Sequence, residues 1–337
     1  MAEVVPFTIG AAADLTNRAI NKIYLKVKDE GFDYYKKFMN VRTGISDYQY
    51  KDSALSDLSN ATRVLENAII TAESPIQGYD QTFTQVTYGK LLRITKRMWY
   101  YGIQKRDLEK LTGATKRACM RHREEICGDR LDNSFSTSYT RNDDGGNYTI
   151  ATAGGNSVAL ISAAQTREDG GTNNNNRITD GSTVNFDYNY DAEKAVRYTA
   201  SQLSPLKDPK GNRMSIKPDT RIFSDGSPES FIAQEILGAI RKGHKPQSAE
   251  YDGSGVPAFK VIETPWITTN TSYWWAMDSS MKNDQFGLQY LEGQALDLQG
   301  PNIVFTTKEM QWSSTYDAAI GHNDYRGWEG SKNTNAA

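Results

Sequence analysis

The sequence predicts an α+β fold organised around one long helix, on three observations. Residues 105–136, KRDLEKLTGATKRACMRHREEICGDRLDNSFS, place Leu108, Leu111, Ala114, Ala118, His122, Ile126, Leu131 and Phe135 at spacings of three to five. That is a single-faced helix of about 30 residues, roughly 45 Å long at about 1.5 Å per residue. Runs of strand composition stand on both sides of it. Strands and helices then mix without a regular βαβ period and without an internal repeat, which excludes a doubly wound parallel sheet.

In chain order, residues 1–50 hold an amphipathic helix from Ala13 to Phe38, with Ala19, Ile23, Leu25 and Val27 as its apolar part. It is short of apolar residues for its length, so it is expected to dock on something rather than form a core. Residues 51–78 are polar apart from the run Val64 to Ala72. The stretch YDQTFTQVTYGKLLRITKRMWYYG, 79–102, begins with β-branched and aromatic residues and turns basic from Leu91 on. Without a clear apolar face it reads as an extended arm of strand, and deleting Thr82 to Arg93 is expected to leave a folded subunit.

Residues 136–190 are rich in Gly, Asn and Asp and read as loops, split by Val158 to Ala164. The run at Asn173 to Asn176 is expected to bury nothing and to tolerate insertion. From Asp191, read as an N-cap, a helix runs to Pro205, and DPKGN at 208–212 is a turn. TRIFSDG is a short strand. SPESFIAQEILGAIRKG is a second helix, with Ser227 as N-cap, Pro228 at its first position and Gly243 past its end. FKVIETPWI, SYWWAMD and Phe305 to Asp317 read as strands.

Composition bounds the chemistry. Aromatic residues make up 11% of the 337 residues, nineteen of them Tyr, and the net charge is only −2, far from a disordered composition. Cys119 and Cys127, eight apart in one helix, cannot pair with each other there, and no Cys-x-x-Cys occurs. That usage fits a reducing compartment. No basic segment followed by an apolar core opens the chain, and no window approaches 18 apolar residues. GAIRKGH, 238–244, misses the phosphate-loop pattern, with His244 in the lysine position at a helix end. His122 stands alone on its helix, Asp143-Asp144-Gly145 is a turn, and no nucleophile elbow or zinc motif exists. The residues imply no metal, no cofactor and no catalytic set.

Charge is uneven. Between Lys90 and Leu131, twelve Lys or Arg face five Asp or Glu, a net +7, so the remainder carries −9. Such a segment is either the solvated face of a long helix or a surface turned toward acidic partners.

The order of these elements resembles the major capsid proteins of tailed phages, with the Hong Kong 97 type fold. TYGKLLRITKRMW followed by RDLEKLTGATKRACMRHREEICGDRL is similar to the returning strand of their extended loop and the spine helix. NYDAEKAVRYTASQL with DPKGNRMSIKPDTRIFSDGSPESFIAQEIL resembles their helix, glycine turn, "I-x-P-D" step, strand and helix. FKVIETPWI, SYWWAMD and FGLQYLEGQ resemble strands of the axial domain, and YDAAIGHNDYRGWEG the closing strand of the peripheral domain.

The resemblance implies an N-terminal arm (1–50), an extended loop (51–98), a peripheral domain with the spine helix (99–190), an axial domain (191–300) and a return to the peripheral domain (301–337). It implies a subunit that self-assembles, as pentamers and hexamers, into an icosahedral or prolate virion shell around double-stranded DNA, built in the host cytoplasm. Portal and decoration proteins are implied partners. Residues 1–50 do not look like a cleavable scaffold segment, so a separate scaffolding protein is expected; no membrane partner is.

Phe83, Val86, Tyr88, Lys90, Leu92 and Arg93 are the expected inter-subunit residues of the arm. Lys116, Arg117, Arg121 and Arg123 are the expected interior basic surface, meeting DNA without sequence preference. The alternatives are an encapsulin-like compartment shell and, from other classes, a carbohydrate-binding module or an enzyme.

Overall fold

The structure is a computed structural model describing residues 9–27, 31–55, 58, 61, 63–64, 72–75, 77–95, 97–98, 105–143, 146–167, 173–182, 184–203, 215–242, 258–283, 286–304, 306 and 309–332. The expected Val64–Ala72 run, the 208–212 turn, His244 and Gly243 lie wholly or mostly outside these residues.

Two sheets share one core. The first is built on β12 (Glu309–His322), whose alternate residues from Met310 to Ala318 all point inward. Along one edge of β12 run first β10 (Leu288–Glu292) and then β11 (Asp297–Val304), and along the other β4 (Val86–Thr95), all antiparallel. β1 (Asn40–Thr43) adds to β10 in parallel.

The inner face is covered by α3 (Lys105–Asp132), about 42 Å long, by α1 (Ile9–Lys26) beside it, and by the short α2 (Tyr35–Phe38). The helix expected over 13–38 is therefore two pieces. Its docking partner is the long helix, and Tyr35, Phe38 and Met39 join the main core.

The second sheet runs β13 (Trp328–Ser331), β9 (Trp274–Met277), β7 (Thr220–Ser224), β8 (Lys260–Thr264), with only β7–β8 parallel. Helices α4 (Tyr190–Leu203) and α5 (Pro228–Lys242) pack on it through Ala195, Val196, Ala233 and Ile236 against Phe223 and Trp274. The cap of α4 is Asn189, which accepts the Ala192 N–H at 2.8 Å, two residues before the expected Asp191; Ser227 caps α5 as expected, accepting from Ser230 N at 3.2 Å. Arg221, Ala276 and Glu329 stand in cross-strand register. Arg221 forks onto Glu193 at 2.8 and 2.7 Å, and burial keeps the Glu329 carboxyl protonated far above its usual range.

Residues 288–304 belong to the β12 sheet, and β13 closes the sheet of β7, β8 and β9. The two sheets meet where α3 ends: the buried Asp132 carboxylate accepts from the backbone of Thr268, Thr269 and Asn270 at 3.0 to 3.2 Å. A Cβ on Gly128 would sit 2.1 Å from Trp266 O, so only glycine admits that approach.

The turn-rich region departs most from expectation. It contains a ribbon, β5 (Ser138–Asp143) with β6 (Gly146–Ala151). The asparagine run is a clamp rather than a free loop. Asn176 is fully buried; its amide donates to Leu160 O and Trp328 O at 2.8 and 3.0 Å, and its oxygen accepts from Ser162 N at 2.8 Å. Asn174 donates to the Tyr325 hydroxyl at 2.9 Å. An insertion here would break these bonds, so the expected tolerance does not hold.

Candidate functional site

A shell subunit acts through its surfaces, so the relevant geometry is which parts leave the body and how they are held. The remaining strands, β2 (Gln49–Leu55) and β3 (Gln77–Thr84), form a two-stranded ribbon that pairs with no other strand among the described residues. Its root is well anchored. Phe83 packs on Leu291 and Ala319, with Ile45 and Tyr50 beside it. The Asp52 carboxylate accepts from Gln289 at 2.8 Å and stands 3.6 Å from Arg42. The buried Asn323 amide donates to Asp52 O at 3.3 Å and Tyr79 O at 3.1 Å. Tyr79 donates to Thr166 O at 2.8 Å. Tyr48, just before β2, and Leu55, at its end, are exposed, and Lys51 pairs with Asp80 in solvent at 2.7 Å.

The expected arm residues lie at this root and in β4, not in a free arm. Phe83 and Leu92 are buried within the subunit, Leu92 together with Ile94 against Trp312 and Ile20. Tyr88 stacks near His122 and Tyr316, at 4.8 and 5.4 Å between ring centres. Only Val86, Lys90 and Arg93 are exposed, and by strand alternation Lys90 and Arg93 point to opposite faces. Residues 88, 92 and 94 form a regular inward face that Lys90 interrupts. Deleting Thr82 to Arg93 would therefore remove most of an edge strand of the main sheet, which corrects the expectation that the subunit would survive it.

The long helix divides its charges between two uses. Lys116 donates to Val27 O at 2.7 Å and lies over the Tyr24 ring, tying α3 to α1. Arg123 is buried, 5.0 Å over the Tyr35 ring and 3.8 Å from Glu292. These two therefore hold the subunit together and do not form part of a free basic surface. Arg117 and Arg121 are exposed, in line with Lys110 and Ala114.

Beside them the buried Glu124 carboxylate accepts the Tyr35 N–H at 3.2 Å, and burial pushes its pKa up to about 7 against the pull of that bond and of Arg123. Far from being single-faced, the helix is buried nearly all round from Arg123 to Asp132. Among the described residues no cluster of His, Cys, Asp and Glu could hold a metal, and no helix is long and apolar enough to cross a membrane. The anchors Asp52, Gln289 and Asn323 escape sequence reading, because their contacts span more than 200 residues and leave no local pattern.

A family model described as phage capsid protein matches residues 78–329, from the second strand of the ribbon through β12 to the closing strand. The chain belongs to that family. It is a structural protein, a major capsid protein of the virion with the α+β fold of the Hong Kong 97 type. Membership does not favour the encapsulin-like alternative.

Among solved structures, it is similar to a chain described as Mycobacterium phage Patience, with a TM-score of 0.49 and 9% identity over 96% of this chain and 88% of that one. It is similar to a virus-like particle from Pyrococcus furiosus, with a TM-score of 0.46 and 10% identity over 95% and 98%. For Mycobacterium phage Adephagia the TM-score is 0.46, with 12% identity over 93% of each chain. No curated protein matches it.

Proposed function

We propose that this capsid protein closes, as pentamers and hexamers, into an icosahedral or prolate shell around double-stranded DNA, and that the β2–β3 ribbon lies over a neighbouring subunit. The observation that carries this reading is the ribbon itself. It is fastened to the body on one face by buried polar and apolar contacts and pairs with no other strand among the described residues. An extended element of this kind adds contact area between copies without enlarging a core, and symmetry repeats each modest contact many times. Assembly takes place in the host cytoplasm, with a separate scaffolding protein, a portal and a decoration protein as partners. Contact with DNA is to phosphates and independent of sequence. Electron microscopy of the expressed protein tests the reading: uniform closed shells are expected, and a chain that stays monomeric at high concentration would refute it.

A further inference from the structure

We propose that the DNA-facing side of the shell is the paired outer faces of α1 and α3, with Lys22, Lys26, Lys110, Arg117 and Arg121 as its phosphate contacts. The proposal rests on the shell reading above and names the surface that reading leaves open.

Both helices lie on the same face of the β12 sheet, and specific contacts fix which side of each one faces it. On α1, Asn17 accepts from the Trp312 indole N–H at 3.3 Å, Ile20 is buried against Trp312, and the Tyr24 hydroxyl meets Ser314 Oγ at 2.6 Å. On α3, Leu108 packs with Trp312, Cys119 donates to Ser314 O at 3.6 Å, and His122 meets the Tyr316 hydroxyl at 2.9 Å.

Each cation stands two residues from one of these sheet-facing positions. Lys22 follows Ile20, Lys26 follows Tyr24, Lys110 follows Leu108, and Arg117 and Arg121 flank Cys119. At about 100° per residue, two residues is roughly half a turn, so all five point away from the sheet. All five are exposed, and since α1 packs along α3, the two rows share one side of the subunit.

The opposite side of the sheet shows the contrast. There β4, β12 and β11 present Thr87, Leu91, Arg93, Glu309, Ser313, Asp317 and Asp297, one cation against three carboxylates. A layer that is basic on one side and faintly acidic on the other has a built-in polarity, and the basic side complements a polyanion. The chemistry favours duplex DNA over an acidic protein segment. A docked peptide needs an apolar groove, but the seam between these helices is spanned by Lys116, whose amine reaches Val27 O across it. No aromatic ring is exposed among the described residues of either helix, so bases have nothing to stack on, and contact is with phosphates.

The test measures binding of purified subunits to a duplex of about 30 base pairs and arbitrary sequence, across a range of salt. Replacing Lys22, Lys26, Arg117 and Arg121 together with Gln should weaken binding at least about tenfold and flatten the slope of log K against log salt by about 3.6. Arg93→Gln, on the other side of the sheet, should change neither. The Lys22/Lys26 and Arg117/Arg121 pairs, replaced separately, should each flatten the slope by about half as much, which keeps the test open if the fourfold variant folds poorly. Unchanged slopes in these variants would overturn the proposal. So would lost binding to polyglutamate with DNA binding intact, which would mark an acidic protein as the partner. Absence of shells from the wild-type protein in the microscope would sink the shell reading alone, because the salt slopes are read on unassembled subunits.

Discussion

Two ribbons leave the main sheets of this capsid protein, and they are held in opposite ways. The β5–β6 ribbon is seated along its length on α3. Arg141, in the middle of β5, binds Asp129 of the helix and its own neighbour Asp143, and lies 3.6 Å from Glu125. Arg130 of the helix bonds Ala151 O at the far end, and Tyr139 is buried deeply enough for its hydroxyl to lose acidity. The β2–β3 ribbon is held on one face only, through Phe83, Asp52 and Tyr79, while on its other face Lys51 and Asp80 pair in solvent, with Gln77 also donating to Asp80. Both sequences are polar and turn-rich. The two differ in what holds them: an arginine set against helix carboxylates in β5–β6, a phenylalanine and amide hydrogen bonds in β2–β3.

The sharpest way to break this contrast is to remove the chain that joins β2 to β3. Replacing residues 57–75 with a short Gly-Ser turn should abolish shells in the microscope while shifting subunit stability by less than about 1 kcal/mol in urea. A subunit that unfolds would show that the segment belongs to the core.

Next in size is Arg141→Met. Removing the guanidinium strands carboxylates that face it at the edge of the core, and should cost about 3 kcal/mol by urea unfolding; Lys51→Met in the other ribbon should leave the midpoint where it is. Equal effects would erase the distinction.

Asn323→Ala removes both amide bonds at the root of β2–β3 and should cost about 1–3 kcal/mol. Hydrogen exchange should speed up in 49–84 and not in 138–151.

The smallest effect is a matter of pH. Burial, aided by Arg141, lowers the pKa of His122 beneath β5, with Asp143 3.6 Å away on the other side of the balance. Tyr88 and Tyr316 face the same ring. A histidine held neutral in the folded state contributes stability above its ordinary pKa near 6.5, and loses it as the unfolded form takes up a proton below that value. Protection factors in 138–151, corrected for the intrinsic slowing of exchange in acid, should therefore fall modestly from pH 7 to pH 5, and His122→Gln should flatten that dependence. A pH-independent wild type would refute the assignment.

The sequence made the helices legible wherever one face alone was buried, as in α4 and α5; it placed the strands at 260–264 and 274–277 from their strand-forming residues and most of β12 from its loose alternation. It misread β4, because Lys90 interrupts the inward face of Tyr88, Leu92 and Ile94 and makes a sheet strand look like a free arm. The asparagine run was read by composition, whereas Asn176 is fixed by carbonyls of residues 160 and 328 that no local window contains. Of the four basic residues expected on a free surface, Arg117 and Arg121 stand there. Lys116 and Arg123 are drawn inward by tyrosine rings contributed from the N-terminal segment, a choice set by packing and invisible in charge spacing.

The pairing of β4 with β12 also sets an order in time. Its partners, from Val86 with Ala318 to Thr95 with Glu309, lie more than 200 residues apart in the chain. As the polypeptide emerges from the ribosome, β4 and the helix that will cover it are complete long before the strand that completes their sheet exists. Until then Leu92, Ile94, Leu108 and the edge of β4 have no native surface to rest on, and closing so long a loop is slow. Each new subunit thus passes through an interval in which its apolar faces invite the wrong neighbour, in a cell making many copies at once. The yield of shells should accordingly follow the supply of chaperones that shelter unfinished chains as well as the strength of the finished contacts.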